Sequence, residues 1–91
     1  MAIESAFGEV IRELRKKMGK SQEEIAFDSG LDRSFISLLE TGRQQPSLIT
    51  NFQLAKALEV SPSRIMSLVE EKLKEEAGTS EKLFTPAVPR T

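Results

Sequence analysis

The side chains with the most chemistry to offer in this sequence are cationic, and they cluster. Arg12, Arg15, Lys16, Lys17 and Lys20 fall within nine positions, with Glu13 the only acid among them. Such a run can present a local positive face to phosphate oxygens even though the whole chain has a formal net charge of -1. Charge runs are also commonly no more than a solvated helix face, so this one gains weight only from what surrounds it.

Most catalytic chemistries are excluded by what is missing. The chain has no His and no Cys, which removes imidazole bases, thiolate nucleophiles, disulfides and the usual zinc ligands together. The carboxylate pairs Glu23-Glu24 and Glu70-Glu71 are adjacent in sequence. On a helix, adjacent side chains point in different directions, so neither pair converges on a substrate. No glycine-rich phosphate loop follows a strand, because no strand pattern is present. No enzymatic activity, cofactor or metal site is therefore expected. No apolar run of about 18 residues exists to span a membrane, and the start, Met1 to Ser5, lacks the basic and apolar regions of a signal peptide. A cytoplasmic location is expected.

The elements that would carry the basic cluster are helices. At 91 residues, 38% apolar and 30% charged, the chain suits one small domain. Phe7, Val10, Ile11, Leu14 and Met18 form a helical stripe over residues 5–18, ended by Gly19. Ser21 with Glu24 reads as a capping box opening a second helix, with Ile25 and Ala26 inward and Gly30 as its stop. Asp32 is placed to cap a third helix, with Leu31 and Ile36 as a hydrophobic staple and Thr41-Gly42 as its end. A polar loop, Arg43 to Pro46, leads to Ser47 as the cap of a fourth helix, with Leu48, Phe52, Ala55 and Leu58 at helical spacing. Phe7, Met18 and Phe52 are expected in the core. Ser61-Pro62 opens a fifth helix carrying Ile65, Leu68, Val69 and Leu73. The expected fold is all-α: a five-helix domain over 1–78 followed by a flexible tail, 79–91, with Leu83, Phe84 and Val88 as its large apolar residues.

The second and third helices are short and joined by Ser29-Gly30-Leu31. Glycine there permits the positive backbone angle of a sharp turn between helices. In a helix-turn-helix, the first turn of the following helix enters the major groove of DNA. Over residues 7–69 the order of turns, caps and core residues resembles the lambda-repressor-like helix-turn-helix family. The resemblance rests on Ile11-Arg12-Glu13-Leu14-Arg15, Gly19-Lys20-Ser21-Gln22-Glu23-Glu24-Ile25-Ala26, Leu39-Glu40-Thr41-Gly42-Arg43, Pro46-Ser47-Leu48 and Leu54-Ala55-Lys56-Ala57-Leu58. The stretch Leu31-Asp32-Arg33-Ser34-Phe35-Ile36-Ser37 looks particularly like the controller proteins of restriction–modification systems.

The resemblance implies a fold of five helices and a sequence-specific regulator of transcription that binds double-stranded DNA. It implies base contacts by Arg33, Ser34 and Ser37, and contacts to the DNA backbone by Gln22, Thr41, Arg43 and Ser47. It also implies a partly buried ion pair between Arg15 and Glu40. Leu38 and Phe27 stand where polar residues are more usual in the family. Ile65, Leu68 and Leu73 are expected to exceed what so small a core can bury, so a homodimer is expected through the fifth helix and the loop before it, including Met66 and Val69. Two copies would set two third helices about 34 Å apart on a palindromic operator. RNA polymerase is a further protein partner to expect. The alternative is an antitoxin or adaptor that holds a protein partner through the fifth helix or the Leu83-Phe84 tail.

Overall fold

The computed structural model describes residues 1–77, and within them the secondary structure is entirely helical: α1 (Ile3–Lys17), α2 (Gln22–Ser29), α3 (Arg33–Glu40), α4 (Leu48–Leu58) and α5 (Pro62–Ala77). The expected end of the domain at residue 78, the 79–91 tail and its Leu83-Phe84 pair lie outside the described residues.

Local chemistry explains most boundaries. α1 ends where Gly19 adopts a φ of 72°, a left-handed conformation that only glycine enters without cost. Its last turn carries Arg15, Lys16 and Lys17, cations at the negative end of the helix dipole. The capping box of α2 is complete: Ser21 Oγ accepts from the Glu24 backbone N–H at 3.0 Å, and Glu24 Oε1 accepts from the Ser21 N–H at 2.8 Å. Gly30, at φ 78°, turns the chain out of α2. Ser47 Oγ accepts from the Thr50 N–H and Ser61 Oγ from the Arg64 N–H, each at 3.0 Å, opening α4 and α5. Asp32 occupies the N-cap position of α3 in extended conformation, yet its side chain makes no capping bond. The entry to α3 is held by apolar packing instead, with Leu31 against the core that contains Ile36.

The centre of the domain is filled by Ile11, Ile25, Ile36, Leu39, Leu54 and Ile65, all fully buried. Every helix contributes at least one of them, so none of the short helices stands alone. This matters most for α2 and α3, each too short to persist without tertiary contacts.

Two expectations about apolar stripes are overturned. In α4 the inward face is Thr50, Asn51, Leu54, Ala55, Ala57 and Leu58, whereas Leu48 and Phe52 are exposed. α4 is apolar on nearly all sides, so two stripes fit helical spacing and only packing against α2 and α5 selects between them. In α5, Ile65, Val69 and Leu73 are all buried in the chain's own core, and Leu68 packs partly buried against it. The reason is that α5 lies along α1, the other long helix, which gives the stripe a longer surface to cover it. Lys72 clamps this pair through Glu13 at 2.9 Å and Glu9 at 3.4 Å. Of the five residues expected to meet a second copy, only Met66 is exposed.

α1 also supports α3 at very close range. A Cβ on Gly8 would lie 2.9 Å from the Glu40 carbonyl oxygen and collide with that of Leu39. One turn earlier, a Cβ on Gly42 would meet Ser5 Cα at 3.1 Å. The end of α3 is thus pressed onto the backbone of α1.

Candidate nucleic-acid interface

The outer face of α3 is assembled from its first two turns. Arg33 and Ser34 open the helix and are exposed, Ser37 follows one turn later and is half-buried, and Leu38 is exposed beside it. Ile36, Leu39 and Glu40 occupy the opposite, buried face. The backbone turn at Gly30 sets this helix across α2 and leaves its N-terminal end outward. The side chain of Arg33 makes no ion pair or hydrogen bond with any described residue, and neither does that of Arg43. Two guanidiniums are therefore free to meet a ligand with their full set of donors.

What fixes the height and tilt of α3 is a polar cluster behind it. Arg15 Nε donates to Glu40 Oε2 at 2.7 Å and Nη2 to Oε1 at 2.9 Å, a two-pronged pairing. Its third nitrogen, Nη1, donates to the Lys20 carbonyl at 2.9 Å. Gln22 Nε2 adds a bond to Glu40 Oε1 at 3.0 Å. One carboxylate at the end of α3 thus gathers the end of α1 and the start of α2. The hydrogen bond that Arg15 donates to Glu40 raises its pKa above the ordinary guanidinium value.

The remaining residues expected at the DNA backbone differ in what they have left to offer. Thr41 Oγ1 donates to the Ser37 and Leu38 carbonyls, each at 3.1 Å, closing the end of α3; contact with a phosphate requires that hydroxyl to rotate. Ser47 Oγ lies 3.0 Å from Thr50 Oγ1, so its proton is free for an outside acceptor when Thr50 donates to it. Gln22 keeps its second amide hydrogen. Not all of the cationic cluster is free: Arg15 is buried against Glu40, and Lys20 is paired with Asp28 at 2.8 Å. Arg12, Lys16 and Lys17 are left as its exposed members.

The bridge from Gln22 to Glu40 was not foreseen from sequence, and neither was the close approach at Gly8. Gly8 carries a visible signal, since a glycine inside a strong helical stripe costs about 1 kcal/mol relative to alanine and usually marks close packing. The Gln22 bond has no such signal, because it depends on how α2 and α3 cross.

The helix-turn-helix family pattern matches residues 11–65, which spans the elements just described. The chain belongs to the lambda-repressor-like helix-turn-helix family. Among its relatives is an uncharacterised HTH-type transcriptional regulator, y4dJ, of Sinorhizobium fredii, 35% identical over 71 residues that cover 78% of this chain and 92% of the relative. The control protein C.BamHI of Bacillus amyloliquefaciens is 38% identical over 61 residues, 66% of this chain and 75% of that protein. Among solved structures, the restriction–modification controller protein C.AhdI of Aeromonas hydrophila superposes with a TM-score of 0.67 at 44% identity, covering 68% of this chain and 94% of that one. These helix-turn-helix proteins are not enzymes. Among the described residues, no cluster of His, Cys, Asp or Glu is arranged to hold a metal ion, and no helix is long and apolar enough to cross a membrane.

Proposed function

We propose that this DNA-binding regulator acts as a homodimer on a palindromic operator, reading it through Arg33, Ser34 and Ser37. The observation that carries the reading is the first turn of α3. Arg33 stands there exposed, with no ion pair or hydrogen bond to any described residue, on a helix whose other face is locked by Glu40 and Ile36. An arginine so placed can donate to both O6 and N7 of a guanine, a pairing worth roughly 1–3 kcal/mol of discrimination. The likeness to control proteins such as C.BamHI favours regulation of transcription as the outcome of binding.

In the complex, α3 lies in the major groove and α2 crosses the sugar–phosphate backbone. Gln22, Thr41, Arg43 and Ser47 contact phosphates on either side, setting register without reading sequence. Ser47 does so at the N-terminus of α4, where the helix dipole favours an anion. Arg15 and Glu40 touch no DNA; they hold α3 at the angle that the reading side chains need. Contact with RNA polymerase would follow from a site beside a promoter, and the cytoplasmic location follows from the ligand.

The test is selection from a random duplex DNA pool, run in parallel with the natural chain and with Arg33→Ala. The natural chain should enrich an inverted repeat, and the variant should relax one guanine position in each half. Enrichment of no sequence at any salt concentration would overturn the reading.

A further inference from the structure

The apolar side chains of α3 divide into two groups. Ile36 and Leu39 are fully buried and Phe35 packs partly buried against the core, whereas Leu38 is exposed to 38%. Leu38 lies four residues after Ser34 and beside Ser37, on the side of the helix assigned to base edges. A leucine side chain has neither a hydrogen-bond donor nor an acceptor. On the base edges of the major groove one group is apolar, the 5-methyl of thymine, and 5-methylcytosine carries the same methyl. We propose that Leu38 reads a pyrimidine 5-methyl group in each half of the operator. The proposal rests on the reading of α3 as the helix that enters the groove. It adds to that reading a thymine that the arginine and serines do not specify.

Single exposed leucines are common on protein surfaces, and three observations set this one apart. The first is fixation. The Leu38 carbonyl accepts from the Arg43 N–H at 2.9 Å and from Thr41 Oγ1 at 3.1 Å. The Leu39 and Glu40 carbonyls that follow press onto Gly8 of α1. The backbone that carries Leu38 is thus set before DNA arrives, which lowers the ordering cost of a contact. The second is access. Ser34 before it and Thr41 after it are short and exposed, and the Thr41 hydroxyl is tied back to the Ser37 and Leu38 carbonyls. A base edge can therefore approach without displacing a longer side chain. The third is spacing. Five residues separate Arg33 from Leu38, about 7.5 Å along a helix, or about two base steps of roughly 3.4 Å. Both side chains then fall within one half-site. The bond from the Arg43 N–H also ties the phosphate contact and the methyl contact into one register. Because leucine senses the methyl and not the hydrogen-bonding edge, methylation of a cytosine at that position acts as a gain of contact.

The experiment starts from the duplex that the full chain selects out of a random pool, with Leu38→Ala and Arg33→Ala selected beside it. The natural chain should fix a thymine about two base steps from the guanine that Arg33→Ala relaxes. Leu38→Ala should relax that thymine and keep the guanine, with its urea unfolding midpoint unchanged because the side chain lies outside the core. Replacing the thymine by uracil then removes the methyl alone and leaves the protein untouched. One methyl group taken from contact corresponds to about a fourfold change in affinity. The natural chain should therefore bind the uracil duplex about fourfold more weakly for each half-site changed, and Leu38→Ala should bind the two duplexes equally. With a cytosine–guanine pair at the same position, 5-methylcytosine should be bound about fourfold better than cytosine by the natural chain, and no better by Leu38→Ala. Indifference of the natural chain to uracil at every thymine would overturn the proposal, while a guanine still relaxed by Arg33→Ala would keep the reading of α3. A Leu38→Ala chain that loses affinity equally for all duplexes would place the leucine on the sugars and also overturn it. Selection that enriches no sequence would overturn both readings together.

Discussion

Glu40 holds the recognition helix in place because donors from two other segments converge on it. Arg15 reaches it from α1 and Gln22 from α2, and both charged partners are buried. Removing one member of such a pair leaves the other charge without compensation inside the fold. Glu40→Ala should therefore destabilise the domain by about 3–5 kcal/mol, read from the midpoint of urea unfolding. The double change Arg15→Met with Glu40→Leu should recover most of that loss, because the desolvation penalty disappears with both charges. DNA affinity should not recover with it, since Gln22 then loses its anchor. A double variant that binds as tightly as the natural chain would show that the cluster only stabilises and does not position. The pH dependence has a definite sign. The folded-state pKa of Arg15 is raised by its hydrogen bond to Glu40, so what the guanidinium contributes to stability is lost only in strong alkali, as pH rises through that raised value.

At the scale of elements, the polar groups that begin helices and the buried faces of α1, α2 and α3 were readable from sequence, and the buried face of α4 and the full coverage of α5 were not. Ser21 with Glu24, Ser47, and Ser61 before Pro62 each announce a helix start, because the chemistry that satisfies a free N–H is local. Ser21→Ala should cost about 1 kcal/mol and should be felt as loosening of α2 in amide hydrogen exchange before global unfolding. Asp32 shows the limit of such signals: the residue type is right, but the side chain makes no bond. The α4 and α5 stripes show a second limit. Leu48 and Phe52 on α4 and Ile65 and Val69 on α5 are each four residues apart, yet the first pair faces outward and the second is buried, a difference set by neighbours many residues away. Gly8 lies between these cases. Its Cβ position is filled by the Leu39 and Glu40 carbonyls, so Gly8→Ala must push α3 away from α1. Backbone cannot yield as a flexible side chain would, and a cost of about 1–3 kcal/mol in denaturant unfolding is expected. A neutral or stabilising effect would mean that the two helices can separate without strain.

For the whole molecule the distribution of charge matters more than its sum. Thirteen basic residues against fourteen acidic ones leave a net charge of -1, too little to attract DNA as a diffuse polycation. Lys20 and Lys72 are neutralised by Asp28, Glu9 and Glu13, and Arg15 by Glu40. Arg43, exposed just beyond the recognition helix and without an ion pair to any described residue, is one of the cations expected to release counterions on binding. On B-DNA each neutralised phosphate lowers the slope of log affinity against log salt by about 0.9. In a dimer every contact occurs twice, so Arg43→Ala should make that slope shallower by about 1.8, with a similar loss of affinity for every duplex at low salt. Arg33→Ala should behave differently, losing affinity for the selected operator at all salt concentrations while non-specific binding changes little. A shift near 0.9 for Arg43→Ala would mean that a single copy engages the DNA, and no shift would remove Arg43 from the phosphate contacts. The same titration thus counts both the contacts and the subunits that make them.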